Sequence, residues 1–186
     1  MTVKPRLRTR AGVRSVAYAA LFAALMAVCA WISIPTKPPF TMQTFAVFSA
    51  ALLLGPRRAA AAVLVYLSLG ALGVPVFAGF GAGVGHILSS TGGYMVGFVL
   101  AALLAGSAAV RGGKRLLPRI LGCAAGLIVC YAFGTAWFMF VYARGGGTIG
   151  LGAALSACVL PFVIPDAAKI ALAILLERIL APHVHI

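Results

Sequence analysis

The sequence predicts an all-α integral membrane protein with six transmembrane helices, and three observations support this class. The chain has 186 residues, of which 63% are hydrophobic and only 9% are charged. A soluble domain carries roughly a quarter charged residues because its surface must be hydrated. The charged residues are also separated by long uncharged runs. We therefore expect the surface of this protein to face lipid.

The uncharged runs have the length of membrane spans, since a helix that crosses about 30 Å of hydrocarbon needs about 20 apolar residues. The run 59–110 is too long for one helix, and it divides at the glycine-rich stretch 77–85. The last run continues past Asp166 and Lys169, and we place its span later than its first residues. The six predicted spans are 15–36, 38–56, 58–75, 92–110, 120–143 and 160–181.

The positions of the basic residues predict the orientation. Short loops rich in Lys and Arg stay on the cytoplasmic side of a membrane. With a cytoplasmic N-terminus, twelve of the 15 basic residues lie on that side. We expect a basic cytoplasmic segment 1–14, a single membrane domain 15–181 and a cytoplasmic tail 182–186. The twelve residues are Lys4, Arg6, Arg8, Arg10, Arg14, Arg57, Arg58, Arg111, Lys114, Arg115, Arg119 and Arg178.

The net charge of +13 does not indicate nucleic-acid binding. A DNA-binding protein lines its basic residues along one contact face, whereas here they interrupt apolar runs. The expected partner is the lipid bilayer with its anionic headgroups. We predict no metal or cofactor, because the three histidines lack zinc-ligand spacing. The four cysteines are interpreted as packing residues within spans, and they are Cys29, Cys123, Cys130 and Cys158.

Asp166 and Lys169 are the most informative residues, because ionisable side chains inside a span are costly and usually functional. Their spacing of three places both on one helix face, and Pro165 suits the first turn of that helix. One interpretation is a self-neutralising pair that closes the last span against the bundle. The other is a polar clamp, whose carboxylate accepts N–H groups and whose ammonium donates to a carbonyl. A cyclic urea has that complementary pattern.

Other candidate residues converge on the outer side of the membrane. Gln43 is the only amide side chain in the sequence, and a lone amide in an apolar run requires a partner. The glycine-rich stretch lacks the spacing of nucleotide loops. It is either a capping loop or a flexible external loop. Apolar walls with few polar groups describe a small-molecule pocket. The predicted binding residues are Asp166, Lys169, Gln43, Phe40, Phe77, Gly79, His86, Thr91, Gly92 and Tyr94, with Phe80 as a further wall.

Small residues at a spacing of four allow helices to approach closely. In the first span they predict either docking of a partner helix or internal packing. The candidates there are Ala19, Ala20, Ala23, Ala24 and Ala27. The pairs Gly93–Gly97 and Gly122–Gly126 are interpreted as internal packing.

Five segments of the sequence carry a resemblance to a known family. They are Pro38-Pro-Phe-Thr-Met-Gln-Thr44, Leu54-Gly-Pro-Arg57, the stretch from Tyr66 through Gly-Val-Pro-Val-Phe-Ala-Gly79, Thr91-Gly-Gly-Tyr94 with Gly97-Phe98, and Pro161-Phe-Val-Ile-Pro-Asp-Ala-Ala-Lys169. Together they resemble BioY, the biotin-specific substrate-binding (S) component of energy-coupling-factor (ECF) transporters. The resemblance covers nearly all of residues 15–181.

The resemblance implies the ECF S-component fold in the cell membrane of a prokaryote, with both termini cytoplasmic. It implies that biotin enters from outside and that Asp166 and Lys169 hold its ureido ring. It also implies that the first-span alanines dock on a transmembrane coupling protein, which works with two ATPase subunits. The chain departs from the family at Pro165, where a Gly is expected. The biotin carboxylate has three candidate partners: Arg144, His86 and the backbone N–H groups of Thr91 to Gly93.

Three other functions are alternatives to this one. A solitary or oligomeric biotin carrier without ATPases fits the same residues. An intramembrane hydrolase using Ser89 or Ser90 with His86 lacks a nearby carboxylate to orient the base. A proton- or sodium-coupled carrier usually has several intramembrane acids and internal repeats, whereas Asp166 is the only intramembrane acid predicted. We expect a transport subunit and not an enzyme.

Overall fold

A computed structural model describes residues 6–36, 38–113 and 115–183, with side chains described from residue 12 onward. This part of the chain contains eight α-helices, a 3₁₀ turn at Ala78–Phe80 and a two-stranded antiparallel sheet. The predictions for Lys4 and Lys114 lie outside the described residues, as do the ends of segments 1–14 and 182–186. The helices are α1 Arg6–Trp31, α2 Gln43–Leu54, α3 Pro56–Ala71, α4 Val84–Ile87, α5 Gly92–Gly112, α6 Leu116–Arg144, α7 Leu151–Cys158 and α8 Leu160–Leu180.

The helical class is confirmed, but the number of spans is not. Among the described residues, three helical segments are long and apolar enough to cross a membrane, namely Gly12–Trp31, α5 and α6. The pair α7 and α8, bent by 41°, makes a fourth if it is one span. Helices α2 and α3 have 12 and 16 residues, which corresponds to about 18 and 24 Å. Six spans therefore stay a prediction.

Helix α2 is shorter than its predicted span because both of its ends are interrupted. Before it, β1 (Ser33–Ile34) and β2 (Phe40–Thr41) form a hairpin, with Ser33 opposite Thr41. No strand was predicted here from the sequence, so the hairpin adds β structure to the all-α expectation. After it, Gly55 has a φ of +77° and Pro56 begins α3. A left-handed residue followed by a proline ends one helix and permits the next to start.

Helix α8 begins at Leu160, as the predicted span 160–181 does, but Pro165 does not lie in the first turn, where the sequence predicted it. Val159 has a φ of −125° and a ψ of −57° and separates α7 from α8, so the helix starts at Leu160. Pro161 takes the early position where a missing N–H is tolerated. Pro165 instead lies inside the helix, one residue before Asp166.

Glycines bring α5 and α6 into close contact. A Cβ atom at Gly93 would lie 2.2 Å from Cβ of Trp137, and one at Gly126 would lie 2.9 Å from the backbone oxygen of Ala101. A Cβ at Gly97 would lie 3.0 Å from Sγ of Cys130. The glycine pairs thus serve internal packing, as predicted.

Most of the described arginines lie at one end of the bundle, whereas Arg144 lies at the other. Nε of Arg58, near the start of α3, donates to Oγ of Ser15 in α1 at 3.0 Å. Arg119, near the start of α6, forms a 3.0 Å ion pair with Glu177, near the end of α8. The hairpin, the 3₁₀ turn and α4 adjoin the other ends of these helices. The bundle therefore has a basic end and an opposite end that carries the loops.

Replacing Gly126 by Ala is expected to lower thermal stability. The added methyl group meets the backbone of Ala101 at 2.9 Å, and such overpacking costs about 1–3 kcal/mol. This exceeds the gain of up to about 1 kcal/mol from removing a helical glycine. Thermal unfolding in detergent measures the change. Gly152→Ala is the matched control, since Gly152 in α7 has nothing within 4 Å of the added atom. If both variants melt at or above the wild-type temperature, the close approach is not as described.

Candidate small-molecule binding site

A cavity lies at the loop end of the bundle, between the hairpin, α4 and the adjoining ends of α2, α5, α6, α7 and α8. Its empty space is about 650 Å³, part of it open to solvent. Six of the ten predicted binding residues line it, and they are Gln43, His86, Thr91, Tyr94, Asp166 and Lys169.

The carboxylate of Asp166 is buried and accepts three hydrogen bonds. The residue is only 2% exposed, and Lys169 is only 4% exposed. Nζ of Lys169 donates to Oδ1 at 2.7 Å, and Oγ1 of Thr44 donates to the same oxygen at 2.8 Å. The hydroxyl of Tyr131 donates to Oδ2 at 2.5 Å. A buried charge needs a partner and hydrogen bonds, and Asp166 receives them from α2, α6 and α8.

The ammonium of Lys169 joins α8 to the hairpin. Besides its bond to Asp166, it donates to the backbone oxygen of Thr41 at 2.6 Å. It also lies 4.2 Å from the ring centroid of Phe40, a distance typical of a cation–π interaction. Phe40 stacks on Phe162 at 6.0 Å. Phe40 thus supports the lysine and is not among the residues that line the cavity, in contrast to its predicted role as a wall.

The pair therefore fits both interpretations made from the sequence. It closes α8 against its neighbours, and it also faces the cavity. An ionised carboxylate has about four acceptor positions, of which three are used. One acceptor position is thus left for an N–H group of a ligand.

Gln43, the only amide side chain in the sequence, is hydrogen-bonded to protein groups. Its Nε2 donates to the hydroxyl of Tyr66 at 2.6 Å, and that hydroxyl donates to the backbone oxygen of Val76 at 3.2 Å. Its Oε1 accepts from Oγ1 of Thr41 at 3.1 Å. The amide connects the start of α2 with α3 and with the segment that follows it.

The glycine-rich stretch is folded as a capping loop. The N–H of Gly83 donates to the backbone oxygen of Gly70 at 2.7 Å, and the N–H of Phe77 donates to that of Gly81 at 3.0 Å. Phe77 is fully buried rather than on the cavity wall. A Cβ atom at Gly70 would lie 2.0 Å from its ring. The missing side chain of Gly70 therefore makes room for Phe77.

His86 is the titratable group that this loop presents to the cavity. Its ring stacks on Phe77 with centroids 5.1 Å apart, and a Cβ at Gly81 would lie 2.4 Å from its Nδ1. Burial lowers the pKa of His86 from its ordinary value of 6.5, because desolvation disfavours the charged form. The imidazole is therefore mainly neutral at pH 7.

Three predicted residues lie beside the cavity without lining it. Gly79 is exposed with a φ of 64°, and its neighbour Ala78 lines the cavity instead. Phe80, expected as a wall, is 65% exposed and stacks on Trp31 at 5.3 Å. Gly92 packs against the backbone of Ile87, whose oxygen a Cβ atom at Gly92 would meet.

The wall formed by α5 and α6 is held by hydrogen bonds. The hydroxyl of Tyr94 is 3.0 Å from that of Thr135, and its ring covers Gly134, where a Cβ would lie 2.2 Å away. Nε1 of Trp137 donates to the backbone oxygen of Ser89 at 2.9 Å. These contacts fix the start of α5 against α6.

The cysteines are buried and free of disulfides, as expected of packing residues. Two of them also line the cavity, which the sequence did not indicate. Cys130 and Cys158 line the cavity, and Sγ of Cys130 donates to the backbone oxygen of Tyr94 at 3.5 Å.

Sequence reasoning missed two donors to Asp166. Thr44 lies in segment 38–44. The only sign of its role in the sequence was its side-chain hydroxyl, one residue after Gln43. Tyr131 had only a weak signal, a single hydroxyl within the apolar run 120–143. Neither can be assigned to Asp166 from spacing, since they are 122 and 35 residues distant in the chain.

The arrangement does not favour hydrolysis. Oγ of Ser89 donates to the backbone oxygen of His86 at 2.6 Å and lies 3.2 Å from Oγ1 of Thr91. The hydroxyl is thus engaged with groups other than the imidazole, so a base in contact with the nucleophile is missing.

Arg144 lies over the ring of Phe140, at 4.7 Å from its centroid, and is not among the cavity residues.

The apolar helices and the internal pocket define an integral membrane protein with a small-molecule site. The model of the BioY family matches residues 1–185. The chain therefore belongs to the BioY family.

Relatives and a solved structure agree with this assignment. The probable biotin transporter BioY of Pyrococcus horikoshii is 42% identical over 166 residues, covering 89% of this chain and 94% of the relative. The biotin transporter BioY of Thermotoga maritima is 38% identical over 165 residues, covering 88% and 94%. The crystal structure of the S-component for biotin from an ECF-type ABC transporter superposes with a TM-score of 0.81 at 22% identity, covering 96% and 94%. That likeness establishes the fold. The expectation of a transport subunit rather than an enzyme is confirmed by the family.

Lys169→Met is expected to destabilise the protein strongly, because it leaves the Asp166 carboxylate buried without its cation. Breaking a buried ion pair in this way costs about 3–5 kcal/mol. Thermal unfolding in detergent measures the loss. The double variant with Asp166→Asn is the control, and it should recover part of the stability because the remaining charge is removed. Equal loss in the single and double variants would contradict the pairing.

Proposed function

We propose that this chain is a biotin-binding membrane subunit that mediates biotin uptake. The observation that carries the proposal is the buried Asp166–Lys169 pair facing a mainly apolar cavity. The names of the relatives point to the same vitamin. The role requires no resident cofactor, since biotin is the transported ligand.

The ureido ring of biotin suits the free hydrogen-bonding positions of the pair. Asp166 has one acceptor position left for a ring N–H. Lys169 uses two of its three N–H groups on Asp166 and Thr41, and the third is available to the ureido oxygen when it turns from Phe40. Charge-assisted hydrogen bonds are the stronger ones. A urea thus replaces a cation–π contact with a hydrogen bond and gains a second one.

The remainder of biotin would extend towards the capping loop. Met95, Phe98 and Phe162 supply an apolar wall for the ring and its chain. Of the three candidates for the carboxylate, we favour His86, which lines the cavity while Arg144 does not. A neutral imidazole can donate one N–H to the carboxylate.

We further propose six membrane-crossing segments, with the basic end of the bundle in the cytoplasm of a prokaryotic cell. Helices α2 and α3 run between the loop end and the basic end, although they are short. A short apolar segment is accommodated by local thinning of the bilayer. The segregation of Arg58, Arg119 and Arg178 from the cavity supports this orientation.

Energy for uptake would come from an ECF coupling protein and two ATPases. The sequence left open which alanines of α1 dock on the coupling protein. Ala19, Ala23 and Ala27 are buried within the bundle, where α1 packs on α2 and α3. Ala20 and Ala24 are exposed and four residues apart. We therefore assign the docking surface to Ala20 and Ala24.

Purified protein is expected to bind biotin in calorimetry, and Asp166→Asn should weaken the affinity by at least tenfold. The substitution removes the charge of an acceptor, and hydrogen bonds to charged groups contribute about 1.5–3 kcal/mol. Ala61→Trp, on the exposed side of α3, is the control that should bind as the wild type does. Absence of biotin binding by well-folded wild-type protein would refute the proposal.

The two ends of biotin can be separated in the same experiment by using biotin methyl ester. Asp166→Asn should weaken binding of both the acid and the ester, because both carry the ureido ring. His86→Ala should weaken only the acid. If His86→Ala affects both ligands equally, the carboxylate lies elsewhere.

Ala20→Trp is expected to abolish assembly with the ECF coupling protein while biotin binding remains. The large side chain prevents the close approach that small residues allow. Co-purification of the coupling protein and biotin uptake in proteoliposomes measure the effect, with Ala61→Trp as the matched control. Undiminished uptake by Ala20→Trp, or uptake without any ATPase, would favour the solitary carrier.

A further inference from the structure

A long apolar groove separates α6 from α8, and the proposed function does not use it. The helices are joined near one end by the bond of Tyr131 to Asp166 and near the other by the Arg119–Glu177 pair. The empty space that the groove encloses together with adjoining solvent is about 1380 Å³. α8 packs mainly on α2, which leaves this side of it open.

The walls of the groove are almost entirely aliphatic. They include Ile120, Leu127 and Ile128 from α6 and Val163, Ile170 and Leu175 from α8. Several of these side chains are well exposed, for example Ile128 at 66%. A large exposed apolar surface of this kind marks a site for a partner or for lipid.

The groove is long enough for an acyl chain of one leaflet. Arg178 follows Val163 by 15 positions on α8, which corresponds to about 22 Å of helix. Half of the hydrocarbon thickness of a bilayer is about 15 Å. One acyl chain can therefore lie along the groove with its headgroup at the basic end.

The charges at that end select the headgroup. Arg178 lines the groove and is exposed, and Arg115 is exposed at the start of α6. Glu177 is already paired with Arg119. We propose that the groove is a binding site for one anionic phospholipid, with an acyl chain between α6 and α8 and its phosphate at Arg178.

Charge complementarity favours this lipid over a second copy of the chain. A copy in the same membrane orientation would bring its own basic end towards Arg178 and Arg115. Like charges repel in the low-dielectric boundary of the membrane. An anionic phosphate instead neutralises these arginines.

The lipid would also contact the binding site through one residue. Of the described residues, Tyr131 alone lines both the groove and the cavity. An acyl chain against its ring restricts the side chain whose hydroxyl donates to Asp166. Lipid occupancy is therefore expected to raise ligand affinity. The proposal of a lipid site rests on the membrane location of the protein. It does not depend on which ligand the cavity binds.

The test uses full-length protein reconstituted with phosphatidylcholine and a minor fraction of phosphatidylglycerol, then extracted in mild detergent. Native mass spectrometry counts the lipids that remain bound. Wild-type protein should retain one phosphatidylglycerol in preference to phosphatidylcholine. Arg178→Gln should reduce its retention about fivefold, the effect expected of one basic residue at an anionic surface. Arg57→Gln, an exposed arginine at the same end but outside the groove, should not.

A second variant tests the groove rather than the charge. Ala171→Trp fills the groove and should lose the lipid, whereas Ala136→Trp, exposed on α6 outside the groove, should keep it. Equal retention of both lipids by wild-type protein would overturn the proposal. So would unchanged retention in Arg178→Gln, or a change of oligomeric state in Ala171→Trp without loss of lipid. Arg178→Gln is an exposed substitution, so its result stands even if Ala171→Trp does not fold.

Discussion

The need of one buried carboxylate for hydrogen-bond donors organises this protein. Asp166 lies buried in the apolar helix α8, where an unpaired charge is costly, and its three donors come from α2, α6 and its own helix. The lysine among them also reaches the backbone of Thr41 in the hairpin. The same contacts that neutralise the charge therefore hold together the ends of the helices that enclose the cavity. The group of atoms that holds these helices together also lines the cavity.

This dependence explains how a membrane protein with few polar side chains can keep two charged groups on the wall of an apolar pocket. The walls are apolar, so a polar group there that loses its hydrogen-bond partner has no water to replace that partner. The pocket keeps its charged pair satisfied by protein atoms, yet leaves one acceptor position on Asp166 and one N–H of Lys169 beside an aromatic ring. A ligand that fills both positions exchanges weak contacts for strong ones. The hydroxyl of Tyr131 extends this arrangement to the groove between α6 and α8, where we infer a lipid site.

Much of the fold was predictable because charge and apolar length are read directly from the chain. The uncharged runs indicated the long helices α1, α5 and α6, and the glycine pairs indicated the close packing of α5 on α6. The ionisable pair was found because charges within apolar runs are conspicuous. The hairpin before α2 was not predicted, since Ser33–Ile34 and Phe40–Thr41 are too short for a strand pattern. The position of Pro165 within α8 was misjudged because two prolines, Pro161 and Pro165, could each occupy the first turn.

The sequence by itself determined the membrane class, the family, the basic asymmetry and the spacing of Asp166 and Lys169 on one helix face. These properties depend on composition and on neighbours within one turn. Only the tertiary structure decided which distant groups meet them: Thr44 and Tyr131 on the carboxylate, Thr41 and Phe40 on the ammonium, and His86 rather than Arg144 on the cavity wall. It also decided that Phe77 supports the loop from within and that Ala20 and Ala24 face outward. The physical reason is that such contacts depend on how helices are rotated and packed, which local periodicity does not specify.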